Sequence, residues 1–210
     1  MQLKTLNPVL YLLVVGFGLL LVSACEDKVP PIDHLPNDAV IVAFGDSLTY
    51  GTGAKEHEAY PAQLSNLIKR EVINEGIPGE LSAQGLMRLP DVLDEHQPEL
   101  LILCHGGNDL LRKRNQKSIV SNITAMIKEA KKRGIQVVLI GVPEPALFFL
   151  EPADFYSTIA SKENIPIEKK ALPDIESDDA LKSDTIHPNA AGYRKLAEAI
   201  ARLLERAGAV

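Results

Sequence analysis

A doubly wound α/β domain, with a mostly parallel sheet covered by helices on both faces, is what this 210-residue sequence predicts, and three observations carry it. Short, near-continuous apolar runs recur along the chain at residues 39–44, 100–104 and 136–142. Longer stretches with apolar residues at helical spacing separate them, so strand and helix alternate. Apolar residues make up 46% and charged residues 24%, the balance of a chain that buries a core.

The elements follow in order. Residues 39–44 (AVIVAF) have the unbroken apolar character of a strand covered on both faces. Residues 61–70 open with proline at a first helical position and set Leu64, Leu67 and Ile68 on one side. Residues 71–74 (EVIN) are a weaker strand candidate, and 100–104 (LLILC) a strong one. Residues 117–133 align Ile119, Ile123 and Ile127 and end in KKRG, cations and a glycine suited to a helix C-terminus. Residues 136–142 (QVVLIGV) are the next strand, 165–167 a weaker one. Residues 190–207 close the chain with Tyr193, Leu196, Ala197, Ile200, Leu203 and Leu204 in one stripe. Parallel strands joined by helices imply right-handed crossovers, with any site at the carboxyl ends of the strands.

The amino terminus does not belong to this domain. Residues 8–22 (PVLYLLVVGFGLLLV) form an apolar run too short for a bilayer span but suited to the h-region of a signal peptide, with Lys4 ahead of it and Ser23-Ala24 behind. Val22-Ser23-Ala24-Cys25 resembles the lipobox of bacterial lipoproteins, which implies cleavage before Cys25 and lipidation of its sulfur; a plain secreted protein with unmodified Cys25 is the alternative. The expected organisation is a signal peptide at 1–24, a lipidated Cys25 with a proline-rich tether at 25–38, and one domain at 39–210. Removal of residues 1–24 leaves 21 lysines and arginines against 28 acids, a net of −7 where the whole chain has −6. That balance argues against nucleic acid or an anionic membrane surface as partner. Two cysteines cannot staple a scaffold, so stability rests on the core.

The segments after the strands carry the chemistry. Gly45-Asp46-Ser47-Leu48-Thr49 follows the first, Asn74-Glu75-Gly76-Ile77-Pro78-Gly79 the second, and Gly106-Gly107-Asn108-Asp109 the third; Asp184-Thr185-Ile186-His187-Pro188 precedes the last helix. Acyl transfer needs such a set: a serine hydroxyl, an imidazole to take its proton, a carboxylate to hold the imidazole, and donors for an oxyanion. Each piece alone reads as a turn, a loop or a cap. Four of them in this order, each at a strand end or helix start, do not.

The chain resembles the SGNH (GDSL-type) hydrolases, most of all their bacterial acyl-CoA thioesterase/lysophospholipase and arylesterase branch, through FGDSLTYGTG at 44–53, NEGIPG at 74–79, GGND at 106–109 and DTIHPN at 184–189. The resemblance covers residues 39–205. It implies a three-layer α/β/α, flavodoxin-like fold with Ser47 as nucleophile, His187 as general base and acid, and Asp184 as its partner. It implies an oxyanion hole from the N–H groups of Ser47 and Gly79 and the amide of Asn108, a turn-shaping Asp46, and no metal or cofactor. Thr49 breaks the Gly-x-Ser-x-Gly pattern, which argues against the α/β-hydrolase elbow.

Two departures stand out. Pro78-Gly79-Glu80-Leu81 replaces a frequent Ser-Gly-Asp-Thr, and residues 143–156 (PEPALFFLEPADFY) match no familiar pattern; Phe148 and Phe149 there either line an acyl or aryl pocket or pack on the sheet. Cys104 reads as a small core hydrophobe and His105 as a loop histidine satisfied by backbone. His34, His57 and His96 lack ligand spacing. Arg112-Lys113-Arg114 reads as a solvated face, and Asn122-Ile123-Thr124 is a sequon within a helix.

The expected activity is a serine esterase or thioesterase acting on small-molecule or lipid acyl esters, monomeric, tethered to a bacterial cell-envelope membrane through Cys25, with its domain facing the periplasm or the exterior. A carbohydrate O-acetyl esterase is the alternative within the same chemistry, and a non-catalytic surface-binding lipoprotein the alternative outside it.

Overall fold

The computed structural model describes residues 29–144 and 153–210. The expected signal peptide at 1–24, Cys25, Phe148 and Phe149 lie outside the described residues, as do 26–28 of the expected tether.

Five parallel strands, β1 (Val40–Gly45), β2 (Glu71–Gly76), β3 (Leu100–Cys104), β4 (Gln136–Ile140) and β5 (Ile167–Glu168), form one sheet in the order β2-β1-β3-β4-β5. Around them run α1 (Ser47–Tyr50), α2 (Tyr60–Ile68), α3 (Ser82–His96), α4 (Gly107–Leu111), α5 (Gln116–Lys132), α6 (Asp154–Glu163), α7 (Ala171–Glu176) and α8 (Ala190–Ala207). Helix α2 packs with α8, while α3 packs with α5 and α5 with α6. This is the expected three-layer fold. The order reverses between β1 and β3, and such a switch point opens a crevice at the carboxyl ends of the two strands.

The inner strands are apolar because both faces are covered: β3 is buried at every residue and β1 at all but Val40. No residue of edge strand β2 is fully buried, which explains its weak sequence signal. Helix α8 matches the expected bounds, with Asn189 capping the N–H groups of Ala191 and Gly192 at its start and Gly208 closing its end.

Two elements differ from expectation. Helix α3 carries Gly85 and Pro90 in its interior, the residues that interrupt a helical pattern. Gly85 is there for space: a Cβ at that position would stand 2.3 Å from His105 Nε2. The tether is docked instead of free from Ile32 onward. Ile32 and Leu35 are buried in the core, their N–H groups donate to Ala207 and Ala209 carbonyls at 2.9 and 2.8 Å, and Arg70 donates to the Leu35 and Pro36 carbonyls. Ile32 and Leu35 bind the segment to the domain, and Val29 packs against the same core.

Candidate active site

Local rules place Ser47. Strand β1 ends at Gly45, and the Asp46 carboxylate accepts the Leu48 N–H at 3.1 Å, so the chain turns at once into α1 with Ser47 as its first residue. Asp46 is 1% exposed, and burial pushes its carboxyl up. Its other oxygen accepts from Asn108 Nδ2 at 3.2 Å, tying the β1 turn to the β3 turn. Tyr193 Oη donates to the Thr52 carbonyl at 2.8 Å and fixes the chain beyond α1.

From the far end of the sequence, His187 Nε2 reaches Ser47 Oγ at 3.0 Å, and His187 Nδ1 reaches Asp184 Oδ2 at 2.7 Å. Asp184 Oδ1 accepts the N–H groups of Ile186 and His187 at 2.9 and 2.8 Å, folding the Asp-Thr-Ile-His turn around one carboxylate. Burial would raise the Asp184 carboxyl, but the Ile186 N–H and the His187 ring and N–H outweigh it and bring it to about 2. A carboxylate held ionised on Nδ1 fixes the proton there and leaves Nε2 free to accept from the serine. The helix cap that Asp184 and His187 could have supplied belongs to Asn189.

Asn108 and Gly79 are placed differently. Asn108 opens into a cavity of about 440 Å³ that Ser47 and His187 also line, with Leu48, Leu111, Val142 and Ile186 among its apolar walls. An amide nitrogen has two hydrogens, so Asn108 can bond Asp46 with one and present the other. Gly79 is not among the residues lining that cavity. It sits with φ of 80° in a turn closed by the Glu80 N–H to the Ile77 carbonyl at 3.2 Å. Proline followed by a positive-φ glycine is what a type II turn demands, so Pro78 supports this turn.

The His105 expectation is corrected. Its ring is fully buried, Nδ1 accepts the Gly106 N–H at 3.0 Å, and Nε2 bonds Glu80 at 3.1 Å, so a side-chain carboxylate and not backbone alone satisfies it. Glu80 also takes two hydrogen bonds from Arg88, at 3.0 and 2.9 Å, and Arg88 reaches Glu75. Burial would raise the Glu80 carboxyl, but His105 and Arg88 bring it below the usual range. This lattice anchors the residue after Gly79. Asp109 anchors the next turn by accepting the Ser82 N–H and hydroxyl at 2.7 and 2.9 Å. Cys104 is a free, buried core residue. Arg112 is exposed yet donates to the Gly79 carbonyl at 3.3 Å, a contact the sequence did not signal.

Glu176 and Lys182 also line the cavity, and nothing in their sequence surroundings announced them. Burial raises the Glu176 carboxyl from 4.5 to about 7, against an opposing pull from Lys182. The folded state then keeps a proton that the unfolded chain releases near 4.5. Stability therefore falls as pH rises from 4.5 to about 7 and is level above. Glu176→Gln removes that fall: in thermal melts it matches the parent at pH 4.5 and exceeds it at pH 8. A parallel pair of curves would show that the carboxyl is not buried enough to matter.

The model of the GDSL-like Lipase/Acylhydrolase family matches residues 43–195. Esterase TesA of Pseudomonas aeruginosa is 28% identical over 191 residues, spanning 85% of this chain and 94% of that protein. An arylesterase of Vibrio mimicus is 29% identical over 174 residues, 78% of this chain and 87% of its own. The crystal structure of AlinE4, an SGNH-hydrolase family esterase, superimposes with a TM-score of 0.62 at 32% identity, covering 82% of this chain and 98% of that one.

Proposed function

The chain belongs to the GDSL-like lipase/acylhydrolase family and is a serine ester hydrolase, and from that premise we propose that Ser47, His187 and Asp184 perform its chemistry. The observation that carries this reading is the continuous line Asp184 Oδ2–His187 Nδ1, His187 Nε2–Ser47 Oγ, at 2.7 and 3.0 Å.

Ser47 Oγ attacks the acyl carbon while its proton passes to His187 Nε2, and the carbonyl π pair moves onto oxygen. In this reading the Ser47 N–H and the Asn108 amide, both on the cavity wall, receive that oxyanion, while the Gly79 N–H, expected as a third donor, is not on that wall. Collapse of the intermediate breaks the bond to the alcohol or thiol, which takes the proton from Nε2 and leaves an acyl–Ser47 ester. Water attacks the ester, gives a proton to His187, and the acid departs as Ser47 Oγ recovers it. The largely apolar cavity suits an acyl group, so aryl esters, lysophospholipids and acyl thioesters are the substrates to assay beside acetylated sugars. The test is trapping: acid quench during p-nitrophenyl acetate turnover, followed by peptide mapping, places the acetyl group on Ser47. Acetyl on any other residue, or no acyl-enzyme at all, overturns the mechanism.

Asn108→Ala tests the oxyanion role. Loss of one such donor lowers kcat by about 10²–10³-fold with KM little changed. A raised KM at constant kcat would assign Asn108 to substrate binding instead.

The same reading gives the domain a place in the cell. With Cys25 lipidated and the chain a monomer, the enzyme works at the envelope, periplasmic or exterior. Acyl chains on Cys25 would supply the attachment; among the described residues no helix is long and apolar enough to cross a membrane.

A further inference from the structure

The structure segregates charge that the sequence averages away. Beside edge strand β5, between α6, α7 and α8, runs a groove whose charged residues are Lys169, Lys170, Lys195, Arg202 and Arg206 against Glu168 and Asp174. Lys195, Ala199, Arg202, Leu203 and Arg206 lie at helical spacing on one stripe of α8. Glu168 accepts the N–H groups of Lys170 and Ala171, and Arg206 also has a partner; with both set aside, Lys169, Lys170, Lys195 and Arg202 still face Asp174. A cationic surplus thus collects on one side of a chain whose net charge is −6.

The same groove is lined by Val29 and Pro30. Cys25 is four residues upstream, and four extended residues reach at most about 14 Å. A bilayer holding that anchor is therefore at most about 14 Å from the near end of the groove, less than two screening lengths of about 8 Å at physiological salt. We propose that this groove is the face with which the domain settles on anionic lipid headgroups beside its anchor. Lysines and arginines with apolar residues between them suit phosphate headgroups at an interface. A surface interaction too weak to hold a soluble protein becomes effective when an anchor confines it there.

The docking has a consequence for the active site. Ser47 and Asn108 follow the carboxyl ends of β1 and β3, whereas the docked N-terminal segment bonds to Ala207 at the end of α8 and to Gln136 at the amino end of β4. The anchored end thus lies opposite the catalytic rim, while the groove runs on to Lys169 and Lys170 just past the carboxyl end of β5, so the domain lies along the headgroups with its catalytic rim to one side of the contact. This orientation, unlike the charge match, rests on the Cys25 anchor proposed above.

The described core runs from Ile32 to Ala209, so the chain from residue 25 with Cys25→Ser retains all of it. That protein is mixed with phosphatidylcholine vesicles with and without phosphatidylglycerol and sedimented. Binding should rise at least about tenfold with phosphatidylglycerol and vanish near 1 M salt, where screening shortens to about 3 Å. Lys170→Glu/Lys195→Glu/Arg202→Glu should lose about tenfold or more. Lys113→Glu/Arg114→Glu/Lys117→Glu, an equal charge change elsewhere, should lose about twofold or less. All variants should hydrolyse a soluble ester at the parental rate, which shows that they fold. Equal losses in both triple variants, or no preference for phosphatidylglycerol, overturn the proposal. Capture by soluble polyphosphate without vesicle binding also overturns it, assigning the groove to a soluble polyanion. Intact mass of the envelope form reports separately on the anchor. Lipid on Cys25 with a failed vesicle result sinks the groove alone, and an unlipidated Cys25 sinks the anchor while the vesicle result stands.

Discussion

Ser47→Ala lowers kcat for p-nitrophenyl acetate by about 10⁴–10⁶-fold and leaves KM within a small factor. The expectation follows from what the hydroxyl does: in the structure it bonds the His187 ring at 3.0 Å. Removing it leaves the cap intact, since Asp46 and not Ser47 accepts the Leu48 N–H, so the variant's melting temperature stays within a few degrees of the parent's. His187→Ala costs about as much by itself, and the double variant costs little more, because nucleophile and base act as one unit. A residual rate above water persists, supplied by binding and by the oxyanion donors. Losses that multiply in the double variant would separate the two residues into independent roles. Activity that survives Ser47→Ala and disappears with a chelator would take the reaction away from this hydroxyl altogether.

How much of this was legible in the sequence depends on whether a residue's partner lies nearby in the chain. Strands β1, β3 and β4 were readable because burial on both faces leaves an unbroken apolar run, and α8 because its apolar stripe and caps are all local. Helix α3 was not, because Gly85 answers to His105, a residue 20 positions away that fills the space of its absent side chain. The four motifs at the strand ends could be found one by one, and their order suggested convergence. The lattice of Glu80, His105, Arg88 and Glu75 could not, since its members come from β2, the turn before α3, α3 itself and the end of β3. Glu176 shows the same limit. Its carboxyl is raised by the surroundings that α7 gives it, and a glutamate in a polar stretch of sequence carries no mark of that. Ile32 and Leu35 are the opposite case, two apolar residues visible among prolines whose docking partners at the end of α8 were not.

Asp184→Asn tests the orientation of the imidazole without changing its shape. The asparagine oxygen can still accept the Ile186 and His187 N–H groups that the Asp184 Oδ1 accepts now, so the turn survives. Its NH₂ group, however, would meet His187 Nδ1 where Oδ2 stands at 2.7 Å. Two donors cannot bond each other, so the ring shifts its proton to Nε2 and offers Nδ1 as the acceptor. The nitrogen facing Ser47 then carries hydrogen and has no lone pair with which to take the serine proton. The expected result is a fall in kcat of about 10³-fold or more at neutral pH with KM little changed. Asp184 is half exposed, so water can partly replace its charge and the loss should stay below that of Ser47→Ala. The acid side of stability changes as well. A carboxyl lowered to about 2 in the folded state stabilises above its ordinary 3.8, and that contribution is lost as pH falls through about 2. Acid unfolding of the asparagine variant should lack this component while its stability above pH 5 carries a constant deficit. Retention of kcat with loss only of thermal stability would reduce Asp184 to a brace for its turn and leave the imidazole oriented by other means.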